Sequence, residues 1–185
     1  ALVNAVYNAL LQTNMHGFPW IGVASITSDD ASKGSTAGDT GTDKQDLDNF
    51  TFDATAISFD NVWEANYIGI IRANYAINTI PTLDIDNEKK NRLMGEACFL
   101  RAYFYWNLWR CFGGVPLITF VPDPSDEEQQ KISRTRATSS QVYEHILSDL
   151  DVAVESLPSL SSLPVKELGR ATSGAALTLR AKVFL

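Results

Sequence analysis

Two acid pairs, Asp29 with Asp30 and Asp39 with Asp43, come nearest to catalytic machinery in this sequence. Hydrolysis of a glycosidic bond needs two carboxyl groups facing each other across a cleft. Acids that sit among Gly, Ser and Thr more often form turns and cap helices. Trp20 differs in kind, because it stands in Phe18-Pro19-Trp20, off any periodic helical face. An indole there either stacks on a sugar ring or a partner surface, or tucks back as a lid over the core.

Other chemistries find less support. There is no C-x-x-C or H-x-x-x-H, and the histidines are His16 and His145. Asp84, Asp86 and Glu88 resemble the opening of a calcium loop, but Lys89 stands where that loop needs Gly, so a solvated turn is the stronger reading. No G-x-S-x-G occurs, and His145 lies beside apolar Ile146, as a surface or half-buried histidine would. The glycine patterns that cradle nucleotide phosphates are absent. No metal and no cofactor is expected.

The segment carrying Trp20 and the acids, about residues 15–57, contains Gly17, Pro19, Gly22, Gly34, Gly38 and Gly41 with no sustained period. It reads as a long loop, and loops of that length are functional or disordered. Before it, Leu2, Val6, Ala9, Leu10 and Thr13 share one helical face. After it, Phe59, Trp63, Asn66, Ile70, Ala73 and Ile77 recur at helical spacing, from a Ser58 cap to a stop at Pro81. Residues 88–112 repeat the spacing at Leu93, Ala97, Leu100, Phe104 and Cys111, and their aromatics point in every direction, which predicts an inner helix ended by Gly113-Gly114. A second loop holds Pro122, Pro124 and the acids Asp123, Asp126, Glu127 and Glu128. Thr138 and Gln141 have capping-box spacing before Val142, Ile146, Leu150, Ala153 and Leu157, and Thr172 or Ser173 caps a last helix.

At 185 residues, 45% of them hydrophobic and 20% charged, the chain has the composition of one globular domain or a piece of one. Its net charge of −7 argues against a nucleic-acid partner or an anionic membrane surface. The most apolar stretch, from Cys98 to Cys111, is broken by Arg101, Asn107 and Arg110, too early for a membrane span. The two cysteines fall on one helix, roughly 20 Å apart at about 1.5 Å per residue, and are expected to be free thiols.

The helices repeat. Gly95, Ala97, Leu100, Arg101 and Ala102 recur at constant offset as Gly174, Ala176, Leu179, Arg180 and Ala181. Ala76, Ile77, Ile80 and Pro81 likewise recur as Ala153, Val154, Leu157 and Pro158. Two helix pairs, about 59–112 and 139–185, with small residues where a partner must come close, are the makings of an α-solenoid. Both chain ends fall inside helices without a polar capping repeat, which suggests the N-terminal portion of a longer protein. Exposed apolar surface is then expected on the last helix around Leu177, Leu179 and Val183, with a tendency to associate.

Several of these motifs occur together in a fixed order. They are Ser28-Asp29-Asp30; Trp63 to Tyr67 with Ala73-Asn74; Gly95-Glu96-Ala97 with Phe99-Leu100-Arg101-Ala102; and Phe112-Gly113 with Val115-Pro116-Leu117. Then come Val142-Tyr143, Ile146, Asp149-Leu150, Ala153 and Leu157-Pro158, followed by Gly169-Arg170-Ala171-Thr172, Ala175-Ala176 and Ala181-Lys182-Val183. In order and spacing they resemble the SusD/RagB group of outer-membrane lipoproteins from gut and oral bacteria of the Bacteroidetes type. The resemblance implies an all-α fold of tetratricopeptide-like helix pairs with long irregular loops. It also implies a cell-surface protein, not an enzyme, that binds a glycan and passes it to a SusC-like TonB-dependent transporter. Membrane attachment would run through a lipid anchor on a cysteine that this chain lacks, and Cys98 departs from the larger polar residue expected there.

In that family the sugar site lies mostly in the later part of the chain, with help from the loop before the first full helix pair. Trp20, Asp39, Asp43 and Lys44 are the candidate ligand contacts in this loop, an aromatic platform with polar groups suited to sugar hydroxyls. Two other readings remain: a helical scaffold that only docks on the transporter, and a carbohydrate-active enzyme using the loop acids.

Overall fold

A computed structural model describes residues 2–34, 36, 39 and 41–185; Ala1 of the expected first helix and Gly38 of the expected loop lie outside the described residues. Among the described residues there is no strand, and the architecture is all-α. No described helix is long and apolar enough to cross a membrane.

The centre of the molecule is the helix Asn87–Phe112, which packs against Ile57–Thr79 before it and Ser139–Ser156 after it. In chain order the helices are α1 (Leu2–Ala9), α2 (Thr13–His16), α3 (Phe18–Ile21), α4 (Thr42–Asp48), α5 (Ile57–Thr79), α6 (Asn87–Phe112), α7 (Glu127–Arg134), α8 (Ser139–Ser156) and α9 (Ser173–Phe184). Burial on α6 follows the expectation of an inner helix, since Ala97, Leu100, Ala102, Phe104, Tyr105 and Leu108 are all buried.

Two glycines set how closely its neighbours approach. A Cβ at Gly69 on α5 would meet the Phe104 ring at 2.6 Å, and one at Gly95 on α6 would meet Ser156 Cβ at 2.9 Å. Helix ends follow the predicted chemistry in three places. Thr138 and Gln141 form the capping box of α8, Thr172 caps α9, and Gly113 ends α6 at φ 66°.

The central polar side chains of the bundle form a network. Arg101 on α6 grips Asp149 on α8 with two bonds of 2.7 Å and donates a third to Asn74 on α5 at 2.8 Å. Asn74 in turn donates to the carbonyls of Ile118 and Phe120, and the Tyr105 hydroxyl accepts from Ile118 N at 2.8 Å. The irregular segment 115–120 is thus threaded into the core through its own backbone groups, which must be satisfied once buried. Burial pushes the Arg101 guanidinium toward the neutral form, but the Asp149 bonds and charge outweigh it and hold the arginine firmly charged. A second clamp fixes the N-terminus. Arg170 and Arg92 converge on the fully buried Glu96, and Arg170 also donates to Asn4 of α1 at 3.0 Å.

Several expectations change. The 15–57 segment is not a continuous loop, since it carries α3, α4 and a π-turn at Gly22–Ile26. These pieces are anchored singly by Met15, Pro19, Ile26 and Leu47, too far apart to show a period. Ser58 is not the cap of α5; Ala56 holds that position, and Ser58 is buried. The acidic second loop contains α7, capped by Asp126. On α9, Leu179 and Val183 are 6% and 3% exposed because they face α8, while Leu177 and Phe184 stand out at 51% and 59%. The thiols of Cys98 and Cys111 are free, and burial pushes Cys98 up to about 12.

Candidate functional site

The residues leading into α5 place a run of aromatic rings at the surface. Helix α4 ends with Phe50 in the left-handed region, φ 55°, as Phe50 N donates to Leu47 O and Thr51 N to Asp46 O. This double closure is the Schellman arrangement, in which the left-handed position is normally glycine. A phenylalanine there carries a conformational penalty of about 1 kcal/mol. Phe50 is 63% exposed. From it the rings continue inward: Phe50 to Phe52 at 6.3 Å, Phe52 to Phe59 at 5.2 Å, Phe59 to Phe112 at 6.4 Å, and Phe112 to Trp63 at 5.1 Å.

Where this strip crosses between α5 and the end of α6, a cleft of about 450 Å³ opens, lined by Phe59, Trp63, Phe112, Asp60, Cys111 and Arg136. Arg136 is oriented by donating to the carbonyls of Phe112 and Gly114 at 3.1 and 2.9 Å, and its guanidinium lies 5.7 Å from the Trp63 ring. Asp60 is exposed at the rim. Ring faces beside one acceptor and one fixed donor suit a polar, ring-shaped ligand that offers C–H faces and hydroxyl edges. A smaller hollow of about 280 Å³ adjoins α4, lined by Asp43, Asp46, Phe52 and Asp53 among others.

The four residues singled out from the sequence are not gathered into one site. Lys44 is 4% exposed; its ammonium donates to Asp43 and Ser58 at 2.7 Å each and sits over the Phe18 ring at 4.7 Å. Ser58 donates to Asp43 at 2.6 Å, closing a three-membered knot between α4 and α5. Burial raises the Asp43 carboxyl, but the bonds from Lys44 and Ser58 and the Lys44 charge outweigh it, holding it below the usual carboxylate range. The polar atoms of Asp43 and Lys44 are therefore engaged within the protein. Asp39 is exposed, its amide donating to Thr36 O at 3.2 Å. Asp29 and Asp30 are exposed in a turn, where Asp30 N donates to Ser28 Oγ at 3.3 Å.

Trp20 is half-buried on α3. The Arg110 guanidinium lies 5.2 Å from its ring, and the His16 ring meets it edge-on at 5.6 Å. His16 Nε2 is 3.0 Å from the Tyr103 hydroxyl, and burial together with the Arg110 charge lowers its affinity for a proton. Among the described residues no cluster of His, Cys, Asp and Glu is placed to hold a metal ion.

Sequence reading missed the aromatic strip. Phe50 and Phe52 did carry a signal: two large rings spaced by one Thr inside an otherwise polar segment, with no helical face to bury them. Arg136 and Asp60 carried none, because their approach to Trp63 and Phe112 is made by the fold.

The SusD-like family described as "starch-binding associating with outer membrane" matches residues 2–185. SusD-like protein P2 of Formosa agariphila is 37% identical over 124 residues, covering 65% of this chain and 24% of that protein. A SusD-like protein of Bacteroides ovatus is 31% identical over 140 residues, covering 73% and 24%. The chain thus spans about a quarter of the length of the curated relatives it matches. Among solved structures, a laminarin-binding SusD-like protein superposes with a TM-score of 0.82 at 30% identity, over 99% of this chain and 38% of that one. Surface glycan-binding protein A of Bacteroides fluxus gives 0.81 at 26%, over 98% and 38%. With the match running from residue 2 to residue 185, the chain belongs to the SusD-like family.

Proposed function

We propose that this chain is the glycan-binding part of a SusC/SusD-type uptake system, holding oligo- or polysaccharide at the outer-membrane surface without cleaving it. The glycan would pass to a SusC-like TonB-dependent transporter, and a lipid anchor would hold the protein in the membrane. The laminarin-binding and glycan-binding relatives support the ligand class.

The observation that carries the reading is the aromatic strip ending in Phe50, an exposed ring held in a conformation that favours glycine. Strain of this kind persists where the side chain is useful. Rings from Phe50 to Trp63 would stack on successive sugar faces, while Asp60 and Arg136 meet hydroxyls. Asp39 is a further proposed hydroxyl acceptor, and the Asp43–Lys44–Ser58 knot fixes α4 so that Phe50 and Phe52 point outward.

Phe50→Gly separates structure from function. It should raise stability by about 1 kcal/mol in urea unfolding, while weakening binding of laminari-oligosaccharides about tenfold in calorimetric titration. Raised stability with unchanged binding, in a chain that still binds, would remove the strip from the site. No binding by the folded wild-type chain would favour the scaffold reading, in which this region only docks on the transporter. Release of reducing ends would favour an enzyme.

A further inference from the structure

We infer that the Trp20–Arg110–Trp106 cluster is a subsite for an anionic sugar, one bearing a carboxylate or a sulfate; this rests on the glycan-binding reading above. The Arg110 guanidinium lies 3.5 Å from the Trp106 ring and 5.2 Å from the Trp20 ring. Stacking of this kind occupies the faces of the guanidinium and leaves its in-plane N–H donors at the edge, the geometry that receives a carboxylate or sulfate with two parallel bonds.

The orientation of this exposed arginine is set from inside the protein. Arg110 Nη2 donates to Asn107 Oδ1 at 2.9 Å, Asn107 donates to Asn66 Oδ1 at 3.2 Å, and Asn66 donates to Val62 O at 2.8 Å. Asn66 and Asn107 are both fully buried. Burying two amides has a real desolvation cost, and here they form a relay whose outer end fixes one surface guanidinium. Among the described residues no carboxylate pairs with Arg110, although the chain carries a net charge of −7. The buried arginine of the same helix, Arg101, by contrast has its acid within the fold. The Lys182 ammonium, 6.0 Å from the Trp106 ring, adds a second positive charge to the same patch.

Arg110 and Cys111 are chain neighbours, and Cys111 lines the aromatic cleft. The cluster therefore sits at the same end of α6 as the cleft, on another side of the helix. A glycan stacked on the aromatic strip with an acidic residue further along could reach both. Trp20 would supply the ring face for that residue, and Arg110 the charge.

The test uses the 185-residue chain, its helix content checked by circular dichroism, titrated with oligogalacturonate, its methyl ester, a carrageenan oligosaccharide and an uncharged laminari-oligosaccharide. Wild type should bind the oligogalacturonate, the carrageenan oligosaccharide or both about tenfold more tightly than the uncharged ligands, and less so as salt rises. Arg110→Gln should erase that preference while leaving the uncharged ligands within about threefold, and Arg110→Lys should restore only part of it. A preference for the carboxylate over the sulfate, or the reverse, identifies the anion. Wild type that binds charged and uncharged ligands alike, or Arg110→Gln that keeps the preference, overturns the subsite and leaves the glycan reading standing. If no oligosaccharide binds the folded chain, both fall together.

Discussion

The two copies of the helix-pair repeat share a short signature of residues and use it in different contacts. The arginine of the first, Arg101, reaches across to Asp149 on α8 of the second copy, and the two side chains are 9% and 5% exposed. In the second, the equivalent Arg180 pairs with Asp151 at 3.1 Å, with 37% and 53% exposure, and its Nε is enclosed without a hydrogen-bond partner among the described residues. The glycines diverge likewise. Gly95 faces Ser156 and Leu157 at contact distance, whereas the nearest atom to a Cβ at Gly174 is its neighbour Thr172 Oγ1 at 3.8 Å. One sequence signature therefore describes an interlocked interface in one place and a solvated one in the other. Repeat membership predicts the kind of contact a residue can make; the packing around it decides how much that contact stabilises.

The widest gap between the two arginine contacts should appear on removing their acids, both on α8. Asp149→Ala leaves a buried guanidinium unpaired and should destabilise by about 3–5 kcal/mol in urea unfolding, while Asp151→Ala should cost less than about 1 kcal/mol. Equal losses would mean that the two contacts are energetically alike despite their geometry. Next come the glycines. Gly95→Ala forces a Cβ against Ser156 and should cost about 1–3 kcal/mol, whereas Gly174→Ala fills open space on a helix and should stabilise by up to about 1 kcal/mol.

The smallest effect is in pH. His145 on α8 packs edge-on against Tyr105 of α6 at 5.2 Å, with its Nε2 3.5 Å from Asp149 Oδ2 and outside hydrogen-bond geometry. Burial lowers its proton affinity below the ordinary histidine value, reinforced by Arg101 and only partly opposed by Asp149. Protonation then favours the unfolded chain, so the contribution is intact above about pH 6.5 and is lost as pH falls below it. The melting temperature should drop between pH 7.5 and 5.5, and His145→Gln should flatten that slope in part. His16, lowered in the same direction, supplies the remainder.

Much of this was legible in the sequence wherever a signal was local. Helical spacing located α5, α6, α8 and α9, the capping box marked the start of α8, and the repeat pointed to Arg101 and Arg180 before either had a known partner. What stayed hidden was set at long range. Lys44, in a stretch of Gly, Thr and Asp, looks solvated, and only the approach of Ser58 and Phe18 buries it. Ser58 reads as a cap because nothing local reveals that Lys44 will claim its hydroxyl. From sequence Trp20 reads as standing in a loop, whereas it lies on the short helix α3, and its partner Arg110, which also stacks on Trp106, comes from α6 far along the chain.

The clamp on the N-terminus also carries a cost in time. Asn4 is held by Arg170 across 166 positions of sequence, and the Tyr7 hydroxyl accepts from Ala171 N across 164. On a ribosome adding about 5–20 residues per second, α1 emerges roughly ten to thirty seconds before the residues that lock it. Its apolar side can settle on α5 much sooner. Helix α1 is thus secured late although it emerges early, and until Arg170 arrives the Glu96 carboxylate of α6 has, among the described residues, Arg92 as its arginine partner.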